Sequence, residues 1–149
     1  MLLLTQLKDE MKTAMRAKDK LRLGVIRMAL SAIKLAEIDH NTEATDDNVI
    51  ALLTKMVKQR KESIKMFTDG GRIELAEKEA AEITALEFFM PEPLSADEIN
   101  VLIGNAIIES GAASMADMGK VMAVLKPLMQ GKADMGAVSG QVRKNLQGL

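Results

Sequence analysis

The chain has 149 residues, of which 48% are apolar and 28% charged, and its net charge is −1. This balance excludes a largely disordered chain. It has no cysteine and one histidine, His40, which excludes disulfides, thiolate metal sites and a histidine zinc centre. No apolar run approaches the roughly 20 residues of a membrane span, and the early charges of Lys8 and Asp9 argue against a secretory signal. We therefore expect a cytoplasmic protein without a metal, a cofactor or a membrane partner.

The first part of the chain has the pattern of four helices, rich in Ala, Leu, Met, Lys and Glu. Apolar residues recur at helical spacing in the first helix: Leu4, Leu7, Met11 and Met15. Asp19 is placed to cap a second helix that ends near Asp39. Thr45 is placed to cap a third helix that ends at Asp69-Gly70-Gly71. A fourth helix is predicted from about Arg72 to Phe89.

The third and fourth helices each have a predicted inward face. The inward residues of the third helix are Val49, Leu52, Leu53, Met56, Val57, Ile64 and Phe67. Those of the fourth helix are Ile73, Ala76, Ala80, Ile83 and Leu86.

The segment Met90-Pro91-Glu92-Pro93 breaks the helical pattern, because two prolines cannot continue a helix. We place a domain boundary there, which gives a four-helix domain over 1–93 and a three-helix domain over 94–149. Ser95 and Glu98 follow with the spacing of a capping box. The predicted fold is therefore all-α, with two multihelical domains.

Three short helices are predicted in the second domain. The first begins after Ser95 and stops at Gly111. The second is capped by Ser114, is kinked or shortened by Pro127, and ends at Gly131. The last runs from Asp134 to about Leu146.

Charge is arranged in blocks along the chain. The net charges are +5 over 1–34, −5 over 35–54, +4 over 55–65 and −5 over 66–93. Alternate helices thus have opposite signs, which favours attraction between neighbouring helices. A second interpretation is that Lys55, Lys58 and Lys65 form a basic stripe that contacts a phosphate backbone.

Arg60 falls in the middle of the apolar face of the third helix. A buried guanidinium must be paired, because an unpaired one costs several kcal/mol, roughly 3–5 when a partner is removed. We predict a network in which Arg60 meets one of three glutamates. The candidate members are Arg60, Arg22, Glu37, Glu79 and Glu87. Since no His, Ser or metal ligand accompanies them, we interpret the network as structural, not catalytic.

Several segments occur in an order and spacing that resemble the GatB/YqeY family over nearly the full chain. They are Lys18-Asp19-Lys20-Leu21-Arg22-Leu23, Val25-Ile26-Arg27-Met28, Lys58-Gln59-Arg60-Lys61-Glu62-Ser63, Phe67, Gly71-Arg72 with Leu75, Pro91 with Leu94, Ala116-Asp117-Met118-Gly119-Lys120-Val121-Met122 and Gly131-Lys132-Ala133-Asp134. The sequence looks like a stand-alone YqeY-type protein.

The resemblance implies two all-α domains and an association with tRNA. The same module forms the C-terminal tail of the B subunit of glutamine-dependent aminoacyl-tRNA amidotransferases, where it is associated with holding tRNA. A related module is appended to some glutaminyl-tRNA synthetases. The catalytic parts of the amidotransferase lie outside this module, so the resemblance implies no reaction for this chain alone.

The chain departs from the family pattern at the junction and before the last helix. Phe89-Met90-Pro91 stands where many relatives have Tyr-Leu-Pro, and Pro93 stands where Gln is usual. Met135 displaces the glycine that follows Asp134, and Ala137 replaces a frequent lysine. A phosphate contact at this loop would have one positive charge fewer.

RNA association is therefore the first hypothesis, with tRNA as the expected partner and no DNA partner expected. The candidate contacts in residues 94–149 are Lys120, Lys126, Lys132, Arg143 and Lys144. The amino end of the last helix offers backbone N–H groups, partly offset by Asp134. Because this part has five basic and five acidic residues and no aromatic residue, we expect weak binding through shape and phosphates.

Two other hypotheses stay open. In the first, the chain would be a protein-interaction adaptor for a synthetase, an amidotransferase or another translation partner, or an accessory of carbon–nitrogen ligase activity with glutamine as amido-N-donor. Its docking face would be rich in methionine, although methionines at helical spacing are more often core residues: Met118, Met122, Met129 and Met135. An enzyme in its own right is the least favoured, since the sequence places no nucleophile, base and oxyanion donor together.

Overall fold

The computed structural model describes residues 2–129 and 131–148. Within these residues the chain forms helices and no strand, and the predicted all-α fold is confirmed. The helices are α1 (Leu2–Ala17), α2 (Lys20–His40), α3 (Asp46–Asp69), α4 (Ile73–Glu87), α5 (Ala96–Ser110), α6 (Met118–Met129) and α7 (Met135–Gln147). A single 3₁₀ turn, Met115–Asp117, precedes α6.

The contacts within the chain divide it into two compact units, Met1–Met90 and Pro91–Leu149, called unit 1 and unit 2 below. Unit 1 contains α1 to α4, and unit 2 contains α5 to α7. The boundary predicted after Pro93 lies close to this division, in the proline segment between α4 and α5.

Unit 1 is built around the antiparallel pair of α3 and α4, against which α2 packs, while α1 contacts α2 and α3. Its core consists of aliphatic side chains at helical spacing, and the largest fully buried ones are Leu7, Ile26, Ile33, Leu53 and Leu86. The ends of the helices are tied by polar contacts: the Leu3 N–H donates to Asp46 Oδ1 at 3.1 Å. These contacts fix where α1 begins relative to α3.

Unit 2 packs α6 between α5 and α7. Its core is smaller and includes Ile103, Val121, Leu125, Met129 and Val142. Among the described residues no single helix is long and apolar enough to cross a membrane. Two consecutive helical segments, Ala96–Ser110 and Met115–Met129, are long and apolar enough only when they are taken together, and they are bent by 97° relative to each other.

The helix caps follow the sequence closely. Asp19 accepts from the Arg22 N–H and Thr45 accepts from the Asn48 N–H. The Asn48 side chain in turn accepts from the Thr45 N–H, which completes a capping box. Each such cap satisfies a backbone donor that the helix leaves without a partner.

The predicted capping box at α5 forms only in part. Ser95 Oγ accepts from the Glu98 N–H at 3.1 Å, as the spacing predicts. The Glu98 carboxylate, however, accepts from the Ser95 hydroxyl and not from the Ser95 N–H. An exposed hydroxyl rotates toward the charged acceptor, which is the stronger partner available to it.

Two inward positions predicted for α4 are wrong. Ile73 is 50% exposed and Ala80 is exposed, whereas Ala76, Ile83, Ala85 and Leu86 form the buried face. At helical spacing Ile73 and Ala80 lie close together on one side of α4, and the buried face is centred on another side of the helix. Pro127 lies inside α6, which continues to Met129 and so ends before Gly131 as predicted; a proline near a helix end removes only one terminal hydrogen bond.

Lys18 takes a left-handed backbone conformation, with φ 57°, at the end of α1. The Lys18 N–H donates to the Met15 carbonyl and the Asp19 N–H to the Ala14 carbonyl, the hydrogen-bond pair of a helix end at which glycine is usual. We expect Lys18→Gly to raise the free energy of unfolding by roughly 0.5–1 kcal/mol, because glycine has no Cβ to clash at positive φ.

Urea unfolding followed by circular dichroism measures this change. The control is Lys12→Gly, an exposed lysine within α1. That variant should lose about 1 kcal/mol, since glycine is unfavourable inside a helix. Loss of stability in both variants would contradict the interpretation of the α1 end.

Candidate functional site

A buried arginine joins three helices of unit 1. Arg60 on α3 is 7% exposed and is the buried charged residue among those described. Its Nε donates to Glu82 Oε2 on α4 at 2.9 Å, and its Nη1 donates to the Met56 carbonyl at 3.2 Å. Its Nη2 lies 3.6 Å from the sulfur of Met28 on α2. The guanidinium is thus hydrogen-bonded on three sides, which burial of this charge requires.

The carboxylates of α4 divide into a near and a far partner of Arg60. Glu79 lies 3.9 Å from Nε and Glu82 lies 2.9 Å from it. Glu79 belongs to the network predicted from the sequence, whereas Glu82 does not. The sequence feature that could have identified Glu82 is its position three residues after Glu79, because residues three apart lie on one side of a helix. The inward face predicted for α4 included Ile73 and Ala80, which are exposed, and it did not include Glu82.

The other three members proposed for the network lie elsewhere. Glu87 is exposed at the end of α4, five residues past Glu82 and therefore on another side of the helix. Glu37 accepts from the Ala44 N–H at 3.0 Å and so holds the loop after α2. Arg22 pairs with Glu10 of α1 at 3.1 Å. Helical spacing alone does not show which neighbouring helix a polar side chain meets.

The lysines of α3 lie on its exposed side. Lys55, Lys58 and Lys65 are exposed, opposite the buried face of this helix. Lys61, which was not among the predicted phosphate contacts, is also exposed and lies between Lys58 and Lys65. At a rise of 1.5 Å per residue the four lysines extend over about 15 Å. We call these four residues the α3 lysine stripe.

The five basic candidates of unit 2 do not form a comparable stripe. Lys120 and Lys126 are six residues apart on α6 and therefore lie on different sides of it. Lys132 lies in the turn before α7, and Arg143 and Lys144 lie near its end. All five are exposed. Cations near the last turn of α7 also interact favourably with the helix dipole.

Ion pairing distinguishes Lys120 from the other candidates. Across residues 2–129 and 131–148, Lys120 is the RNA candidate with an ion pair, to Asp117 at 3.6 Å. The Ala113 N–H donates to the Asp117 carboxylate at 3.0 Å. This hydrogen bond, opposed by desolvation and aided by the charge of Lys120, lowers the pKa of Asp117 from its ordinary value of 3.8.

The expected anion site at the amino end of α7 is largely occupied by the chain itself. Asp134 Oδ1 accepts from the Gly136 N–H at 3.0 Å, so this donor does not face a ligand. Lys132 lines a shallow surface pocket together with Glu92 and Glu98. Two carboxylates beside one ammonium reduce the attraction of this pocket for phosphate.

The methionines proposed as a docking face pack inside unit 2. Met129 is fully buried. Met118, Met122 and Met135 are partly buried and contact the same core. The Ser139 hydroxyl donates weakly to the Met122 sulfur at 3.9 Å. These side chains fill gaps between short helices, so of the two interpretations of these methionines the structure supports core packing and not a docking face.

With this geometry established, comparison with known proteins gives the family. A family model described as Yqey-like protein matches residues 4–146. The chain belongs to this family. The resemblance expected from the sequence is thereby confirmed, and the link to the tail of the amidotransferase B subunit is a relationship at the level of the family.

Curated relatives of this YqeY-like chain occur in fungi. The relative from Kluyveromyces lactis is 46% identical over 82 residues, which cover 54% of this chain and 44% of that protein. The relative from Lachancea thermotolerans is 37% identical over 69% of this chain and 57% of that protein. The relative from Pyrenophora tritici-repentis is 32% identical over 83% of this chain and 71% of that protein. The chain spans about half the length of the first two.

Each of these three relatives is named altered inheritance of mitochondria protein 41, mitochondrial. The expectation of a cytoplasmic location is contradicted by these names. Composition and the lack of a long apolar run describe the folded domain, and neither carries information about the compartment in which it works.

The near and far carboxylates of Arg60 give a graded prediction. We expect Glu82→Gln to lower the free energy of unfolding by about 2–3 kcal/mol, because the neutral amide leaves the buried guanidinium without its closest charge. Glu79→Gln should cost less than about 1 kcal/mol. The double variant should cost more than the sum, roughly 3–5 kcal/mol, because either glutamate partly replaces the other.

Urea unfolding of the parent chain, the two single variants and the double variant measures these differences in the free energy of unfolding. Glu77→Gln, an exposed glutamate of α4, is the control and should change stability little. An equal loss in the two single variants would show that the shorter Glu82 contact does not determine the pairing.

The lowered pKa of Asp117 predicts a pH dependence with a defined sign. A carboxyl whose pKa is lower in the folded state stabilises the fold above pH 3.8 and loses this effect as the pH falls through its folded pKa. We expect Asp117→Asn to be less stable than the parent chain at neutral pH and equally stable well below pH 3.8. Unfolding at a series of pH values, with Asp97→Asn as an exposed control, measures this. A difference that persists at low pH would contradict the assignment.

Proposed function

We propose that this YqeY-like chain is a non-catalytic RNA-associated adaptor that holds tRNA through phosphate contacts. The observation that carries the proposal is the α3 lysine stripe: four exposed cations on one side of one helix, with no ion pair in the described part of the chain. Lysine side chains without protein partners are available to replace the counterions of a phosphate backbone.

The local charge balance supports the same surface. Glu62 is the acidic residue between Lys55 and Lys65, and residues 55–65 carry a net charge of +4 that includes the buried Arg60. The chain as a whole has a net charge of −1 and a pI near 5.9. Binding is therefore expected to be local and moderate in strength, since the overall field does not attract a polyanion.

The basic residues of unit 2 supply further contacts under this proposal. Lys126, Arg143 and Lys144 are exposed and form no ion pair within the described residues. Because they are dispersed around α6 and α7, they contribute single phosphate contacts and no sequence readout. Lys120 is the weaker candidate because Asp117 already neutralises part of its charge.

A second candidate, a protein-binding adaptor for a translation or aminoacylation partner, is favoured by α2. Met28, Leu35 and Ile38 are 53%, 60% and 66% exposed on one side of this helix. Apolar contact of this kind does not weaken as salt rises, whereas phosphate contact does. Salt dependence therefore separates the two candidates.

Fluorescence anisotropy of labelled bulk tRNA, titrated with the chain at two or more salt concentrations, tests the first proposal. We expect saturable binding that weakens as salt rises and that prefers folded tRNA over an RNA duplex of matched length. Lys58→Gln with Lys65→Gln should reduce the salt slope by about 1 for each lysine removed. Arg143→Gln with Lys144→Gln tests unit 2 in the same assay.

Lys78→Gln is the matched control, because Lys78 is an exposed lysine on the acidic helix α4. It should leave both the affinity and the salt slope unchanged. Absence of tRNA binding at low salt would overturn the proposal for the chain alone and leave the protein-binding candidate. If the variants of the α3 lysine stripe do not change the salt dependence of tRNA binding, α3 does not contact the tRNA.

A further inference from the structure

One aromatic ring of unit 1 lies on the surface. Phe88, the residue after α4, is 53% exposed, whereas its neighbour Phe89 is 3% exposed and belongs to the core. The two rings meet edge to face, with centroids 5.1 Å apart and an angle of 82° between their planes. The buried ring thus anchors the exposed one to the core of unit 1.

The exposed ring is paired with a cation. The guanidinium carbon of Arg22 lies 4.8 Å from the centroid of the Phe88 ring, a cation–π distance. Arg22 Nη2 also contacts Glu10 Oε2 at 3.1 Å, which ties the guanidinium to α1. The Arg22 side chain keeps 28% of its surface exposed. The ring and the guanidinium are therefore held against each other at the surface, and both are partly exposed.

Other cations surround Arg22 along the chain. Arg16, Lys18 and Lys20 are exposed, and none of them forms an ion pair in the part of the chain that the structure describes. Of the acidic groups nearby, Glu10 pairs with Arg22 and Asp19 accepts from the Arg22 N–H to cap α2, whereas Glu87, which precedes Phe88, is exposed. The end of α1 and the start of α2 thus present a surplus of free positive charge.

We propose that Phe88 and Arg22 form a stacking site for an unpaired nucleobase of RNA, with Arg16, Lys18 and Lys20 contacting the adjoining phosphates. Unpaired bases stack on aromatic rings and on guanidinium planes, and any base has a face for this contact. The free cations favour a polyanion over an apolar protein segment as the occupant. This inference rests on the proposed RNA association and adds a site that reads unpaired bases, where the lysine stripe contacts only phosphates.

The composition of the chain allows a direct optical test. Trp and Tyr are absent, so Phe88→Trp introduces the sole strong fluorophore. The larger ring keeps the aromatic contact with Arg22 and Phe89. Titration with an RNA hairpin that has an unpaired loop should quench this fluorescence as the base stacks, and a blunt RNA duplex of the same length should quench it much less. Ile108→Trp, at a position 80% exposed on α5, is the control that should not respond.

Affinity measured on labelled hairpin provides the second readout. Phe88→Ala should weaken hairpin binding by about 5- to 100-fold and leave duplex binding unchanged, because one stacked base is lost. Phe88→Leu keeps apolar bulk without a π-face and should behave like Phe88→Ala. Circular dichroism checks that each variant retains the helical content of the parent chain.

The outcomes separate this inference from the proposed function. If the parent chain binds the hairpin but Phe88→Trp is not quenched, or is quenched equally by duplex, the stacking site is wrong and the RNA-binding function stands. Equal quenching in Ile108→Trp, or full affinity of Phe88→Leu, also overturns the site. If the parent chain binds no RNA at low salt, the proposed function fails, and the stacking site fails with it.

Discussion

The buried guanidinium of Arg60 is the contact on which the arrangement of unit 1 depends. It lies among α2, α3 and α4 and needs a carboxylate within hydrogen-bond reach, since a charge of this kind is not tolerated alone in an apolar core. Glu82 supplies that carboxylate at 2.9 Å from Arg60 Nε, and the Glu79 carboxylate lies farther away, at 3.9 Å. The requirement fixes the register of α3 against α4 more narrowly than aliphatic packing alone, which tolerates exchange of similar side chains.

The cations of unit 1 are of two kinds: some are paired with a carboxylate inside the fold, and others have no such partner in the part of the chain that the structure describes. Arg60 and Arg22 are both held by glutamates of a neighbouring helix, so their charge is used within the fold. The lysines on the outer side of α3 have no such partners among the described residues. A chain with almost no net charge can still present a local basic surface, because its charges lie in blocks along the sequence: +4 over 55–65, between −5 over 35–54 and −5 over 66–93.

The two units differ in how they are held together. Unit 1 combines an aliphatic core with polar ties between helices, and it contains the chain's three phenylalanines. Unit 2 relies on a smaller core in which methionines fill irregular space between short helices, and on local caps at Ser95 and Asp134. The basic residues of unit 2 are dispersed around its helices, whereas those of α3 lie along one side of that helix, and for this reason the proposed phosphate contact is assigned first to unit 1.

The sequence by itself determined the all-α fold, the caps at Asp19 and Thr45, the proline break, the need for a partner at Arg60 and the family. These features depend on local spacing, on backbone chemistry and on the order of short segments. Only the tertiary structure decided that Glu82 is the close partner, that Glu37 and Arg22 serve other contacts, and that Phe88 meets Arg22. The physical reason is that helical periodicity gives the side of a helix on which a residue lies, but the residue it meets depends on how neighbouring helices pack.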